Sequence, residues 1–391
     1  MSFTIKNSIV NEYQLVLLFF ILCISWSPLV PNLIYIANSY LYIISILSLI
    51  FFNYYISNSN NRILFIFCII YILIIYIISI FLSVYSFGNL LLPFPLSLLL
   101  AELIIKNNKL LESLIFYTSI FAIISIICCI IGLIYGYLGI DPIYMMVNPD
   151  GRENLLYLTT FSNEINNNII RASFIYDEPG ALSFFLCFVV FMRILQRKNN
   201  FISEFILLGG MVTFSLMHFI ICFLYVVIKK RRYIAPLLAL YIFLYIFTDI
   251  DFSNIEFFTN RFKYEDGRFI GDNRSNQLTN FINLFDYKIF FLGNYECFNS
   301  KDFCSSINGD ITSNIFSPMY GSGIMGALTQ IICIGSLAYS LVKKSDYFVC
   351  FSMILILLQR PFFSGIGYSL MILLIIFNLL KIIKTNNEKN T

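Results

Sequence analysis

Charged side chains are scarce in this chain, and their scarcity indicates its class. They make up 12% of the 391 residues, whereas soluble domains carry about 25%. Hydrophobic residues make up 59%, so the composition excludes an ordinary soluble domain and indicates a membrane protein. The net charge of +3 is too small to indicate a nucleic-acid partner.

Histidine is almost absent, and this restricts the chemistry. The single histidine, His218, lies within an apolar run, so we expect no Ser–His–Asp or Cys–His arrangement outside the membrane. We interpret His218 as a buried, hydrogen-bonded structural residue. The sequence also lacks a P-loop, a GxGxxG motif and a metal-ligand cluster. We therefore expect no metal and no cofactor.

Long apolar runs, by contrast, are abundant, and a membrane-spanning helix needs about 20 such residues. The candidate spans are 13–30, 34–56, 63–86, 89–105, 114–138, 179–195, 233–250, 318–341, 347–359 and 365–383. A further apolar run, 201–228, is interrupted by a Gly-Gly pair and by Thr213-Phe214-Ser215, and basic residues flank both its ends. Because basic flanks favour the cytoplasm, we expect two short helices that turn near Thr213–Ser215.

These runs predict an all-α, polytopic integral membrane protein with about 12 membrane helices, two of them short and paired. Residues 1–391 would form a single membrane domain. With the N-terminus in the cytoplasm, the short basic segments also fall on the cytoplasmic side, and so does the C-terminus. Two long loops, 139–178 and 251–317, then lie on the outer face, where long loops are usually functional.

The second long loop has a helical pattern of its own. Apolar residues recur at helical spacing at Leu278, Phe281, Ile282 and Phe285, which predicts a short amphipathic helix lying on the membrane. Arg274 comes four residues before Leu278, so it shares the membrane-facing side. Its guanidinium would meet phosphate at the depth of the lipid headgroups.

The cysteines fall into two groups. Cys297 and Cys304 share the polar part of the second loop, and on an oxidising face they are predicted to form a disulfide. The remaining cysteines lie in apolar runs, where we interpret them as small hydrophobic residues.

One stretch places charge at the start of an apolar helix: Arg171, then Asp177, Glu178 and Pro179, before the run 181–195. Proline suits the first helical position, and a carboxylate just before it lies at the positive end of the helix dipole. Arginine binds phosphate bidentately, and a carboxylate can orient or deprotonate a hydroxyl. This set favours a substrate with a phosphate-linked leaving group. Alternatively, the arginine pairs with acids or headgroups, and Glu178 only stabilises the helix.

The order of these residues resembles a known family. Arg171 followed by Asp177-Glu178-Pro179-Gly180 resembles the R…EP(G/S) signature of Wzy-type O-antigen polymerases. Thr213-Phe214-Ser215 resembles the TfS segment of the same family. Leu216 departs from the pattern, because the family usually has an arginine after the TfS serine.

The resemblance continues in the second loop and beyond it. Arg268 and Arg274, followed by Leu292-Gly293, are similar to the family's R…lGxG stretch. Ser313-Asn314, before two glycines spaced three residues apart, resembles its (H)N…GxxG segment. The matching region runs from about residue 165 to residue 335 of the chain.

The resemblance implies an enzyme that polymerises oligosaccharide repeat units carried on undecaprenyl pyrophosphate, at the periplasmic face of a bacterial inner membrane. The pyrophosphate would be bound by Arg171, Arg274, Arg268 and Arg261. The acceptor hydroxyl would be oriented or deprotonated by Glu178 or Asp177. Further site candidates are Ser215 and Asn314. The lipid bilayer and the lipid-linked sugars are the expected partners, and a chain-length regulator is a further candidate partner.

Two other functions compete with this interpretation. The related O-antigen ligases carry a histidine just before the loop asparagine, and Ser313 stands there in this chain; the difference disfavours a ligase. A flippase or transporter of lipid-linked sugars would place charged residues near the bilayer midplane. Here charges sit in the outer loops and the interiors of the spans are nearly free of charge, which favours chemistry at the surface over translocation.

Overall fold

The computed structural model describes residues 14–24, 27, 62–81, 91–147, 153–165, 169–231, 264–265, 268–269, 279, 281–283, 285–294, 315–359, 363 and 365–390. In chain order the described helices are α1 (Gln14–Cys23), α2 (Arg62–Phe81), α3 (Pro93–Lys106), α4 (Asn108–Tyr137), α5 (Pro179–Leu195), α6 (Asn200–Gly209), α7 (Leu216–Lys229), α8 (Tyr287–Leu292), α9 (Ser317–Val342), α10 (Tyr347–Gln359) and α11 (Ile366–Asn390). The described strands are β1 (Tyr144–Val147), β2 (Glu153–Tyr157), β3 (Thr160–Ile165), β4 (Ile169–Phe174), β5 (Tyr264–Glu265) and β6 (Arg268–Phe269).

Three of the described helices are long and apolar enough to cross a membrane: α4, α9 and the Ile366–Glu388 part of α11. Shorter apolar helices accompany them: α1, α5, α7, α10 and the segment Asn200–Thr213. The coarse prediction of a largely helical membrane protein is therefore confirmed. The finer count of about 12 spans is not, and the candidate spans 34–56 and 233–250 lie outside the described residues.

Helix ends follow from local chemistry. Asn107 caps α4, because its side-chain oxygen accepts a hydrogen bond from the Leu110 N–H at 3.2 Å. α4 therefore begins six residues before the predicted span 114–138, and it includes Lys109 and Glu112 in its first turns. α5 and α10 have the predicted bounds, 179–195 and 347–359.

α5 is the central helix. Its own side chains are apolar on every side of the helix, and almost all of them are buried. Such a pattern is expected of a helix inside a protein core. Helices α4, α7 and α11 pack around it. Its rings meet partners at both ends: Phe184 stacks on Tyr368 with centroids 4.0 Å apart, and Phe191 meets Phe348 edge-on at 5.6 Å.

The basic helix ends meet at one face of the molecule. Polar contacts join them: Lys198 to Glu112 at 3.5 Å, Lys230 to Glu204 at 2.7 Å, Lys229 to Asp346 at 2.6 Å, and Lys381 to the Ile105 carbonyl at 3.0 Å. Each contact joins two different helices or the residues that flank them. We call this surface the basic face.

A buried arginine also lies near the basic face. Arg193, in the last turn of α5, is 6% exposed. It donates from Nε to Ser203 Oγ at 3.1 Å, from Nη1 to Ser119 Oγ at 3.0 Å, and from Nη2 to the Asn199 carbonyl at 3.1 Å. One side chain thereby joins α4, α5 and the start of α6.

The loop 139–178 is the main departure from the all-α prediction. It contains a four-stranded antiparallel sheet in the order β1-β2-β3-β4. The register pairs Met145 with Leu155, Leu155 with Ser162, and Ser162 with Ala172. The sequence analysis missed these strands because they have only four to six residues each. The β2–β3 turn also lacks a glycine, and Leu158 takes the left-handed conformation there, with φ 51°.

The sheet packs against the half of α4 that lies away from the basic face, where two glycines leave the space that side chains would otherwise fill. A Cβ on Gly132 would overlap Thr160 and the Tyr157 carbonyl, and a Cβ on Gly136 would lie 2.6 Å from Ile170 Cδ1. Thr159 Oγ1 donates to the Cys128 carbonyl at 2.6 Å. The spacing of the glycines thus lets strand backbone approach helix backbone closely.

The apolar run 201–228 folds as predicted, as two short helices with a turn at Thr213–Ser215. α6 continues into a 3₁₀ turn (Gly210–Thr213), and α7 then returns toward the basic face. An ion pair between Lys230 and Glu204 joins the two helices on the side away from this turn. We call Gly210–Ser215 the re-entrant turn.

The predicted surface helix is only partly within the described residues. Thr279 and 281–283 are helical, and Ile282 and Phe285 are 63% and 45% exposed. Phe281 was expected to face the membrane, but it is buried against α9 instead. Its ring is parallel to that of Phe316 at the start of α9, with centroids 4.9 Å apart, and such stacking favours the burial of Phe281; Phe316 itself is 38% exposed.

Candidate active site

The first part of the candidate site is the corner between β4 and α5. Phe174 ends the strand with φ 54°, and the Tyr176 N–H donates to the Ser173 carbonyl at 3.0 Å. The Tyr176 side chain is fully buried, with its ring centroid 6.0 Å from that of Phe185. Burial raises the pKa of the Tyr176 phenol well above its usual range, so this ring serves as a neutral anchor for the corner.

The two carboxylates follow this anchor. Glu178 is the N-cap residue of α5, with extended backbone, and its carbonyl accepts a hydrogen bond from the Ala181 N–H at 3.0 Å. Its side chain does not cap the helix. The carbonyl of the neighbouring Asp177 accepts from Asn154 Nδ2 at 2.9 Å. Asn154 is fully buried in β2, so the sheet fixes the backbone that carries both acids.

The second part is the re-entrant turn. Thr213 Oγ1 donates to the Gly210 carbonyl at 2.9 Å and accepts from the Ser215 N–H at 3.3 Å. Phe214, between them, has φ 47°. A bulky residue seldom adopts this left-handed conformation, and such outliers cluster at functional sites. Thr213 and Ser215 are both buried.

Arg171 joins the two parts. It lies on β4, three residues before the Phe174 corner, and its Nε donates to the Thr213 carbonyl at 3.4 Å. The two segments are 42 residues apart in the chain, yet the guanidinium of one reaches the backbone of the other. A group held this way has little rotamer freedom left to lose on binding a phosphate.

His218 packs against Gly210 of the re-entrant turn and forms hydrogen bonds with α5 and α6. Its Nε2 lies 2.7 Å from the Leu207 carbonyl, and since a carbonyl only accepts, Nε2 carries the proton. Nδ1 then accepts from Ser183 Oγ at 3.1 Å. His218 is fully buried, and Gly210 leaves room for it, because a Cβ there would overlap the imidazole.

A second junction on the same chain involves the glycines of the later motifs. Gly293 has φ 73° and lies against the backbone of Gly321–Gly323, where α9 is kinked. Asn294 donates from its backbone to the Tyr320 carbonyl at 2.6 Å, and its Nδ2 lies 2.7 Å from the Tyr320 hydroxyl. The Leu292-Gly293 stretch and Gly323, the first glycine of the (H)N…GxxG resemblance, are therefore brought together in space.

Of the sequence-predicted site residues, Arg171, Asp177, Glu178 and Ser215 lie in these two parts. Arg268 begins β6. The others lie outside the described residues: Arg261, Arg274, Cys297, Cys304 and Asn314.

The sequence analysis did not predict a role for Asn154, because it interpreted that segment as a loop. It also did not predict the contact between Gly210 and His218. Among the described residues, no group of three His, Cys, Asp or Glu side chains could hold a metal ion.

The arrangement joins a fixed guanidinium, two carboxylates at a helix N-terminus and a strained turn, which together suit binding of an anionic leaving group beside a hydroxyl. No protein-family model, curated protein or solved structure matches the chain.

Proposed function

We propose that the protein is a membrane glycosyltransferase that joins lipid-linked oligosaccharide repeat units into O-antigen or capsular polysaccharide. The donor is a growing chain on undecaprenyl pyrophosphate, and the acceptor is a hydroxyl of one incoming lipid-linked repeat. We place the protein in a bacterial inner membrane, with the basic face and both termini in the cytoplasm and the site toward the periplasm. A chain-length regulator is its candidate protein partner.

The observation that carries the proposal is the contact between Arg171 and Thr213. The R…DEPG and TFS segments are separate parts of the polymerase resemblance, and a guanidinium-to-carbonyl hydrogen bond of 3.4 Å joins them. Segments that resemble one family's signature and also meet in space support a shared site more strongly than either motif alone.

The chemistry follows from the groups at hand. The acceptor oxygen attacks the anomeric carbon, the new glycosidic bond forms, and the bond from that carbon to the pyrophosphate oxygen breaks. Arg171 stabilises the charge that develops on the leaving pyrophosphate, with Arg274, Arg268 and Arg261 as further candidates. Glu178 or Asp177 orients the acceptor hydroxyl and takes its proton. Undecaprenyl pyrophosphate leaves as the second product.

Product length in a deletion strain tests the function. We expect that loss of the gene leaves single repeats attached to lipopolysaccharide or to its capsule equivalent, and that plasmid-borne protein restores the ladder. Complete absence of attached repeats would indicate a ligase instead, and repeats trapped on the cytoplasmic side would indicate a flippase. Either of these results would overturn the proposal.

A further inference from the structure

The depth of the candidate site can be read from α4. On one side of this helix, apolar side chains are exposed from Phe116 to Leu138. At 1.5 Å per residue this stripe is about 33 Å long, close to the roughly 30 Å hydrocarbon core of a bilayer. Lipid tails are the natural cover for such a stripe, so Leu138 marks the limit of the hydrocarbon on the side opposite the basic face.

The β2–β3 hairpin lies below that limit. Its turn residue Thr159 donates to the Cys128 carbonyl, and Thr160 lies 3.7 Å from Cys129 Sγ. Cys128 precedes Leu138 by ten residues, which places the hairpin turn about 15 Å inside the apolar stripe. Leu158, at the tip, is apolar and 47% exposed, as suits a side chain that meets acyl chains.

The length of α7 gives an independent measure of depth. This helix starts at the re-entrant turn and ends at the basic face, where Lys229 pairs with Asp346. Its 14 residues span about 21 Å, whereas crossing the hydrocarbon takes about 30 Å. The re-entrant turn therefore stops about 9 Å short of the far limit, so it lies inside the apolar layer, as the hairpin tip does.

We infer that the β2–β3 hairpin enters the outer leaflet beside α4, with acyl chains covering Leu158, and that Arg171 meets Thr213 below the plane of the lipid headgroups. Non-helical backbone is tolerated at such depth where protein buries it or water reaches it, and Thr160 and Ser162 are fully buried. On the proposed function, the site draws the pyrophosphate of a lipid-linked sugar inward from the leaflet.

Fluorescence quenching measures this depth directly. The single native tryptophan is removed by Trp26→Phe, and Leu158→Trp is added in that background. The protein is then reconstituted in phosphatidylcholine vesicles with or without brominated acyl chains. The lipid control is Ile131→Trp on the exposed stripe of α4, and the aqueous control is Lys384→Trp, at a side chain that is 80% exposed.

We expect brominated lipid to remove most of the Leu158→Trp fluorescence, as it does for Ile131→Trp, while iodide quenches it far less than Lys384→Trp. Iodide quenching equal to that of Lys384→Trp, with no effect of brominated lipid, would overturn the inference. A second measurement uses the unsubstituted protein, so that misfolding of a variant cannot affect the result. A photoreactive diazirine on the lipid acyl chain should label Leu158. Absence of label at Leu158 would also overturn the inference.

These readouts do not depend on polymer synthesis. A lipid-exposed hairpin in a protein whose deletion leaves polysaccharide unchanged would keep the inferred depth and remove the proposed function. An iodide-accessible hairpin in a protein required for polymer ladders would do the reverse.

Discussion

Arg171 and Thr213 hold each other through a hydrogen bond from the guanidinium Nε to a backbone carbonyl, at 3.4 Å. The carbonyl belongs to the last residue of a 3₁₀ turn, and the guanidinium belongs to the strand that leads into α5. The bond uses the Nε edge of the guanidinium, which fixes the plane of the fork relative to the turn.

Arg171→Lys and Arg171→Ala are predicted to impair polymerisation, with alanine worse. Lysine keeps the charge but loses the planar fork, whereas alanine removes a donor from an electrostatic site, a loss of about 10²–10³-fold in rate. Polymer ladders from the complemented deletion strain measure the effect, with protein level checked by immunoblot. Arg231→Ala, an exposed arginine beside the basic face, is the matched control. Wild-type ladders from Arg171→Ala would remove this arginine from the mechanism.

Glu178→Gln keeps the shape of the N-cap side chain and removes its charge. Because the side chain does not cap α5, we expect little change in stability, and because the carboxylate is proposed to act on the acceptor hydroxyl, we expect shorter or absent ladders. Arg274→Lys and Arg274→Ala should also impair synthesis if that arginine shares the pyrophosphate. A Glu178→Gln protein with normal ladders and normal abundance would assign Glu178 to the helix dipole alone.

Gly210 and His218 are predicted to be energetically coupled. Gly210→Ala forces a methyl group against the imidazole, and such overpacking destabilises by about 1–3 kcal/mol. His218→Ala leaves the Leu207 carbonyl and the Ser183 hydroxyl without this partner, a loss of about 1–3 kcal/mol, but some activity should remain. Thermal unfolding of the purified protein in detergent measures both effects. The double variant should be more stable than the sum of the single losses implies; strict additivity would mean that the two residues do not meet.

The basic face gives a topology prediction. Cysteines placed at Asn200 and at Arg231, both exposed, should react with a membrane-impermeant maleimide only after the cytoplasmic side is opened. The ion pair between Lys230 and Glu204 requires the two positions to share a side. Labelling of Asn200→Cys and Arg231→Cys from opposite sides would contradict the paired short helices. Wild-type protein treated with the same maleimide gives the background labelling of the native cysteines.

The disulfide between Cys297 and Cys304 remains a prediction, since both residues lie outside the described ranges. The bond would close a small loop and stabilise it by roughly 2–3 kcal/mol in the chain-entropy model. Mass spectrometry of protein from the native membrane, alkylated before reduction, should find the two cysteines linked. The remaining eight cysteines are free, as expected of residues in apolar runs, so alkylation at Cys297 or Cys304 before reduction would be decisive against the bond.

Charge and hydropathy predicted the largely helical membrane class and the bounds of several apolar helices, but the count of about 12 spans is not confirmed. The bounds of α5 follow from Pro179 at one end and from the loss of apolar residues after Leu195 at the other. The re-entrant pair follows from the basic residues that flank 201–228, because two cytoplasmic flanks demand a return. The short strands could not be predicted in this way, since four to six residues of mixed polarity between membrane helices have no period that separates them from loop.

The contacts of the site were harder to predict than its residues. Arg171 and the TFS segment were both recognised, but nothing in their spacing indicates that a strand would carry one to the other. That information lies in Gly132 and Gly136, whose role depends on a sheet that the sequence analysis did not foresee. The role of Asn154 could not be predicted for the same reason. Its amide reaches the Asp177 carbonyl only because β2 lies beside the start of α5.

The buried Arg193 has a consequence for which half of the molecule can move. Its three partners, Ser119, Ser203 and the Asn199 carbonyl, are all neutral, so this junction of three helices keeps its positive charge. In the proposed orientation the interior-negative membrane potential attracts that charge, and carrying it across the full bilayer would cost about 2.3 kcal/mol per 100 mV. In that orientation the voltage favours keeping this arginine on the cytoplasmic side. On the proposed function, an opening that admits a substrate and releases a lengthened product would then fall to the opposite half, where the sheet and the re-entrant turn meet.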